Sequence, residues 1–469
     1  MSRMPHIYAP LLPLAVALAA GIALGSTLPA FPSALLLAVV VVPTLLTGRW
    51  PLVQSVGLCV CFLLLGMILV GRGESEEKRV ESSEWMEAVV ASTPSERPRT
   101  LMVELLLPAT GEQQRCYIWK DERSRQLSVG QNLTVCLHDG QFISRDNWQL
   151  GGDGFNRLSH WQRLRIKALK VRRMLAKRLN VLDSNDQAEA VLAAMVLGDK
   201  SALSPEQRDT YSVSGASHVL ALSGLHLSII YLLLTRLTLG RRRFWLMQVL
   251  VVLAIWAFAL LTGLSTSIVR AAVMLTVYSF FTLGGRHHAS LGVLSFTAIV
   301  MLLFDPRSLF DVGFQLSFTA MFGILLLMPL FESWVSDKWM MIHRPVRWLY
   351  ELAAVSISAQ IGTAPLVAYH FERFSTWFLP TNLVVLPLAA LILYAALSAL
   401  VFPTLVGIAL WLTGAMNTTL GWIQSLPLSS IDGLHPSVFQ VIMYYAVVIA
   451  AGCTVWLWYS SRLRTSHTS

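Results

Sequence analysis

A chain of 469 residues in which 55% of positions are hydrophobic, 13% are charged and the mean hydropathy is +0.58 departs strongly from soluble composition, where about 25% of residues carry charge. Those figures exclude an ordinary soluble domain and predict an α-helical polytopic membrane protein. The net charge of +9 does not by itself argue for nucleic acid, because short cytoplasmic loops favour Lys and Arg.

The first unit is residues 1–71. Met1-Ser2-Arg3-Met4-Pro5-His6 runs into an apolar stretch without a small-residue cleavage site, so this stretch is expected to be a retained span rather than a removed signal. Apolar stretches at about 7–28, 33–48 and 51–71 each approach the length that crosses a core of about 30 Å, although Pro43 interrupts the second. With a cytoplasmic N-terminus and Arg49 inside, the third would exit on the far side of the membrane.

Between 72 and 156 Glu, Arg, Ser and Gln replace Leu and Val, so a small extracytoplasmic domain is expected there. Leu101, Val103, Leu105 and Leu107 alternate, as do Leu133, Val135 and Leu137, and Gly111, Gly130 and Gly140 punctuate them. A small β-barrel or meander accounts for this, an oligonucleotide-binding (OB-like) barrel being one such fold. Cys116 and Cys136 each fall within a predicted strand, which leaves two readings open, a cross-strand disulfide or two buried thiols. No pair among the five cysteines has zinc-ligand spacing with nearby histidines, so neither a metal nor another cofactor is expected.

The segment 157–215 is read as amphipathic and interfacial helices. Trp161, Leu164, Ala168, Val171, Leu175 and Leu179 recur at helical spacing, while Arg163, Arg165, Lys167, Lys170, Arg172, Arg173, Lys177 and Arg178 occupy the other faces with no acidic residue among them. Such a helix can lie among lipid headgroups or collect phosphate backbones at the mouth of a pore, and the same charges serve either role. A shorter amphipathic piece, Gln187 to Leu197, is expected to be re-entrant or interfacial. Ser204-Pro205-Glu206 then signals a helix start, with proline at the first helical position.

From 216 to 460 apolar stretches follow densely, at about 219–239, 244–262, 264–284, 289–304, 312–331, 352–371, 378–402, 404–426 and 438–460, bringing the expected total to about 12 spans. Arg241–Arg243, Arg286, Lys338, Arg344, Arg347, Arg462 and Arg464 all fall on one side with that count, which makes 461–469 a cytoplasmic tail. Ser217 to Ile230 places two histidines, His218 and His226, and three serines in a run otherwise apolar enough to cross a bilayer. Polar groups in hydrocarbon are costly unless they face a partner or a wet cavity, so this run is expected to line something. Arg270, Asp311, Gln315, Gln360, His370 and Asn382 add polar groups to other spans, and Asp311 and Gln315 share a helical face. For each, the alternative is a structural hydrogen bond between helices, or for Arg270 an ion pair with Asp305 or Asp311. Ser223 and His226, at i and i+3, raise an intramembrane serine hydrolase, but no second acid or oxyanion motif accompanies them. No Gly-rich P-loop is present either.

Gly198-Asp199-Lys200, Leu203-Ser204-Pro205-Glu206, Ser217 through His226, Ser267-Ile268-Val269-Arg270-Ala271-Ala272, Asp305-Pro306, Gly313 through Phe318, Ala359-Gln360 and Asn382-Leu383 occur in one order. Together they closely resemble the ComEC family of DNA-uptake channels. The resemblance covers about 180–400 and implies an inner-membrane, multi-pass channel carrying single-stranded DNA into the cytoplasm during transformation, without catalysis. It makes Ser223, Gly224, His226, Arg270, Gln315 and Gln360 pore or gating candidates, to which His218, Asp311 and Asn382 are added from the residue pattern. Gly224 is expected to allow close helix approach, and His218 to sit nearer the outer entrance than His226. Expected partners are single-stranded DNA, membrane lipid, a periplasmic DNA receptor and cytoplasmic single-strand-binding or helicase proteins. Many relatives carry a C-terminal metallo-β-lactamase-like domain; no His-x-His-x-Asp-His run exists here, so any nuclease is expected to be a separate protein. The alternative reading is a transporter of a small solute or lipid built on the same polar residues.

Overall fold

The structure is a computed structural model that describes residues 10–27, 37, 40, 51–73, 85–97, 99–109, 111, 113–136, 142–143, 147–179, 186–220, 222–237, 245–283, 290–334 and 344–465. Most of the 33–48 stretch, together with Arg49, Leu137, Gly140, Arg241–Arg243, Arg286 and Lys338, lies outside the described residues.

Two apolar helices, α1 (Leu12–Gly25) and α2 (Pro51–Gly73), come first. A β unit follows, with β1 (Trp85–Val90), β2 (Ser95–Glu96), β3 (Thr100–Leu106), β4 (Gln113–Trp119), β5 (Asn132–Cys136), β6 (Phe142–Ile143) and β7 (Trp148–Leu150). These strands form one seven-stranded sheet in the order β6-β4-β3-β1-β5-β7, with β2 added to β3. The period-two pattern read from the sequence is realised: Leu101, Val103, Leu105 and Leu107 are all buried, and Leu133 and Val135 join them in the same core.

The helices then run α3 (Gly154–Arg157), α4 (His160–Arg178), α5 (Gln187–Leu197), α6 (Pro205–Val213), α7 (Ser217–Leu220), α8 (Gly224–Leu237), α9 (Trp245–Leu261), α10 (Thr266–Leu283), α11 (Ser290–Phe304), α12 (Val312–Trp334) and α13 (Arg344–Phe371). After β8 (Arg373–Ser375) come α14 (Phe378–Val401), α15 (Val406–Gln424), β9 (Ser430–Asp432) and α16 (Val438–Thr465). Among the described residues four helices are long and apolar enough to cross a membrane, Leu52–Val70, Val312–Trp334, Pro345–Phe371 and Phe378–Val401. Seven shorter apolar helices accompany them among the described residues. The chain is thus a mostly helical membrane protein with a small β sheet near its N-terminus. Ser204 caps α6 through a reciprocal pair with Gln207, Ser204 Oγ accepting from Gln207 N at 3.1 Å, as the Ser-Pro-Glu signal predicts.

Of the two readings left open for the cysteines the structure shows the unbridged one: no disulfide joins Cys116 and Cys136. Cys116 on β4 is three strand steps from Cys136 on β5, about 14 Å along a flat sheet, while a bridge needs Cα atoms within about 7 Å. Burial instead pushes the Cys116 thiol up to about 12.

The stretch expected as one span at 219–239 is broken, α7 ending at Leu220 and α8 starting afresh at Gly224. α5 is not two-faced: every residue from Ala190 to Leu197 is buried, packed in one core with α14 and α15, because a helix that is apolar all round has no face to give to water. Gly198 ends it in the left-handed conformation, φ 73°, that L side chains rarely adopt.

On α4 the predicted apolar stripe divides, Leu175 and Leu179 packing in the helical core. Ile166 and Leu169 pack on Val89, Ala91, Leu106 and Val129 of the β unit, and Ala176 and Leu179 enter the helical core. Trp161, Leu164, Val171 and Met174 are left exposed.

A close backbone approach joins α12 and α13. A Cβ on Gly323 would stand 2.5 Å from the Ser358 carbonyl oxygen, and one on Gly362 would overlap that of Thr319, so both backbones meet where only glycine fits. At the other end of α13, Arg373 holds Asp209 of α6 at 2.7 Å and Asp432 of β9 at 2.5 Å, fixing α6 to the β8–β9 ribbon.

Candidate functional site

The break before α8 is organised by Ser223 and His226. Ser223 N donates to His226 Nδ1 at 3.3 Å, and Ser223 Oγ lies 3.1 Å from the same nitrogen. This is one half of a capping box, the third residue's side chain accepting from the N-cap N–H, with histidine in the place of the usual Glu or Gln. A backbone N–H can only donate, so Nδ1 is the acceptor and the neutral ring carries its proton on Nε2. His226 is 0% exposed, and its Nε2 has no partner among the described residues. No acid orients the imidazole from that side, so the Ser–His contact is a helix cap rather than an activated nucleophile. His218, on α7, is exposed and donates to the Gly215 backbone. It lies within electrostatic reach of His226. Gly224 is not a close-approach glycine: a Cβ there would meet Ala271 of α10 at an ordinary 3.6 Å.

One residue before Ala271, Arg270 points to another neighbour. Its side chain is 4% exposed in the residue average, and NH1 donates to Asp311 Oδ1 at 3.2 Å. Asp311 Oδ1 also accepts from Phe314 N at 2.7 Å, so this carboxylate both caps α12 and pairs with the arginine. The guanidinium lies so close over the turn that a Cβ on Gly313 would come within 2.8 Å of NH2. Arg270 Nε is buried and unpartnered among the described residues, while the Asp311 side chain is 45% exposed. The pair is therefore dry at one end and wet at the other. Gln315 continues it, donating from Nε2 to the Leu309 carbonyl at 3.1 Å and meeting His370 Nε2 through Oε1 at 3.1 Å.

Arg270, Asp311, Gln315 and His370 thus form a polar line across α10, α12 and α13. His370 was visible in the sequence as a polar residue near the end of a span. Nothing in its spacing tied it to Gln315, which lies 55 residues earlier.

Two candidates stand apart. Gln360 is half-buried on α13, and two residues along a helix place it about 160° from the Gly362 face that meets α12. Asn382 on α14 has a buried Oδ1 without a partner among the described residues, beside Thr381, whose hydroxyl is in the same state. Ser356 and Ser358 on α13 repeat this pattern. Among the described residues no group of three or more His, Cys, Asp or Glu could hold a metal ion.

The eight cations of α4 divide into tied and free-standing ones. Arg163 donates to the Leu158 carbonyl at 2.9 Å, Arg165 NH2 to the Gly263 carbonyl at 3.3 Å, and Arg178 to the Leu400 carbonyl at 3.3 Å. Arg172 is buried, NH2 donating to Thr93 Oγ1 at 3.1 Å and standing 3.6 Å from Asp199 Oδ2. Lys170 lies 5.4 Å over the Phe155 ring. Lys167, Lys170 and Lys177 are exposed and Arg173 is half-buried. The helix therefore uses arginines to fasten itself and lysines to present charge.

The Competence protein family matches residues 195–458, more than half of the chain. The ComE operon protein 3 of Bacillus subtilis (strain 168) is 29% identical over 245 residues, which cover 51% of this chain and 30% of that protein. An uncharacterised protein of Aquifex aeolicus is 31% identical over 210 residues, 44% of this chain and 47% of that one. Recombination protein 2 of Haemophilus influenzae is 24% identical over 327 residues, 65% of this chain and 41% of its own length. Each alignment thus spans less than half of the relative's length, and no solved structure matches the chain. The match runs through the polar line and the capped break alike, and on that ground the chain belongs to the competence protein family.

Proposed function

We propose that this protein is an inner-membrane conduit through which single-stranded DNA enters the cytoplasm during natural transformation. The observation that carries the reading is the polar line from Arg270 to His370, embedded in apolar helices and wet at Asp311. A guanidinium held by one carboxylate keeps donors for a passing phosphate, and Arg is the residue best matched to phosphate oxygens. In this reading about 12 spans cross the membrane, the β unit is an extracytoplasmic, OB-like receiver, and the lysines of α4 draw phosphates towards the mouth or rest on anionic headgroups. A periplasmic DNA receptor would hand over the strand, and cytoplasmic single-strand-binding or helicase proteins would draw it in. Any degradation of the other strand would fall to a separate nuclease.

The test is a transformation assay in a deletion strain complemented with this chain. Uptake of labelled DNA into the periplasm, with none reaching the cytoplasm in the deletion, supports the reading, as does recovery on complementation. Arg270→Ala is expected to lower transformation by at least about tenfold, the loss of one charged contact worth more than about 1.4 kcal/mol. Wild-type transformation by a normally inserted Arg270→Ala protein would sink the assignment of that residue.

A further inference from the structure

Between the β3–β4 edge and the start of α4 lies a slot of 140 Å³, not accounted for by the polar line in the helices. Leu106, Ile166 and Leu169 floor it, while Trp161, Arg165 and Gln113 rim it. The volume is near the about 150 Å³ that accommodates a benzene-sized ring. The Trp161 side chain is 60% exposed, so its indole wall is open to a stacking partner. Arg165 brings a buried Nε that has no hydrogen-bond partner among the described residues. Its NH2 is meanwhile fixed on the Gly263 carbonyl, in the turn that leads into α10 and Arg270. Gln162 holds the mouth open by donating to the Gly111 carbonyl at 3.2 Å.

We infer that this slot is a base-binding site, in which one unpaired nucleobase of an incoming strand stacks on Trp161 and accepts from Arg165; the inference rests on the single-strand reading above. Three features select a base. The apolar floor takes the ring faces, the rim offers donors and an amide to the edge of the base, and Lys170, four residues from Ile166 and so about 40° round the helix, stands where a neighbouring phosphate would lie. An acyl chain would fill the floor but make no use of the Arg165 guanidinium and the Gln113 amide at the rim. Glu104, the carboxylate nearest Arg165, is already drawn to Arg115 at 3.7 Å. The slot would hold the strand one turn of chain from the mouth of the helical core.

The full-length protein in nanodiscs of zwitterionic lipid, titrated with a fluorescein-labelled oligothymidylate of about 15 nucleotides, tests this. Trp161→Ala should weaken binding about 5- to 100-fold, the equivalent of one base–aromatic stack. Trp161→Phe should stay within about threefold of wild type, and Arg165→Gln should weaken binding in a protein that remains folded. An iodouracil-substituted oligothymidylate should crosslink to Trp161. Unaltered binding by folded Trp161→Ala and Arg165→Gln proteins, or a crosslink that maps elsewhere, overturns the slot while leaving the conduit standing. Loss of binding to anionic vesicles by Trp161→Ala, with oligothymidylate binding intact, assigns the slot to lipid and likewise overturns it. If the wild-type chain neither binds the oligothymidylate nor restores transformation, the single-strand reading itself fails.

Discussion

At the scale of single residues, the Ser-Gly-Leu-His run shows how one spacing supports two chemistries and how geometry decides between them. Ser223 and His226 do meet, at 3.1 Å, as a nucleophile and base would. The backbone N–H of Ser223 occupies the same imidazole nitrogen, however, and the opposite nitrogen has no acid to orient it. The contact therefore ends a break and starts a helix. Ser223→Ala keeps the backbone N–H that binds His226, so it should lower thermal stability by no more than about 1 kcal/mol and leave transformation within a few-fold of wild type. A fluorophosphonate probe should not label the wild-type protein. Labelling at Ser223, with activity lost in the alanine variant, would restore the hydrolase reading that the cap displaces.

At the scale of elements, periodicity was informative wherever one neighbour decides burial and misleading wherever several do. The alternation of Leu101, Val103, Leu105 and Leu107 located a strand face correctly because one side of a sheet packs on one core. α4 has three neighbours at different angles. The β unit takes Ile166 and Leu169, the helical core takes Ala176 and Leu179, and Trp161, Leu164, Val171 and Met174 face outward. Its apolar stripe was legible, but which stripe is covered depends on surfaces far off in the chain. The break before Gly224 was hidden for a related reason: the sequence around it is apolar enough to continue a helix, and only the Ser223–His226 contact marks the restart. Among the candidate residues, Asp311 and Gln315 were linked in advance by their helical spacing, whereas the Gln315–His370 bond needed two helices to meet.

What makes those two meet is the glycine seam of α12 and α13. Gly362→Leu would drive a side chain into the Thr319 backbone, so helix separation or strain of at least about 1–3 kcal/mol is expected. A melting curve in detergent checks this. Unchanged stability would mean that the seam has room that the backbone approach denies.

For the whole molecule, the question is what holds the β unit over the helical core, since each has an apolar interior of its own. The answer lies in one half-buried triangle. Thr93 follows β1, Arg172 belongs to α4, and Asp199 opens the core after α5. Thr93 Oγ1 donates to Asp199 Oδ2 at 3.1 Å, Arg172 NH2 donates to Thr93 Oγ1 at 3.1 Å, and the arginine stands 3.6 Å from the carboxylate. Asp199 uses its other oxygen to cap the next turn, accepting from Ser201 N at 3.1 Å and Ser201 Oγ at 2.7 Å. The Gly-Asp-Lys motif is thus explained twice over, by the left-handed stop at Gly198 and by an aspartate that serves both units. Charges this sheltered couple strongly, because removing one leaves the other desolvated without its partner. Arg172→Ala, Asp199→Ala and the double variant should therefore show a coupling of about 0.5–3 kcal/mol in a double-mutant cycle of thermal stability. Each single variant should also expose the segment between β7 and α4 to limited proteolysis while the helical core stays intact. Additive losses, with the β unit as protease-resistant as in the wild type, would show that the apolar seat of Ile166 and Leu169 alone carries the junction and that the triangle does not.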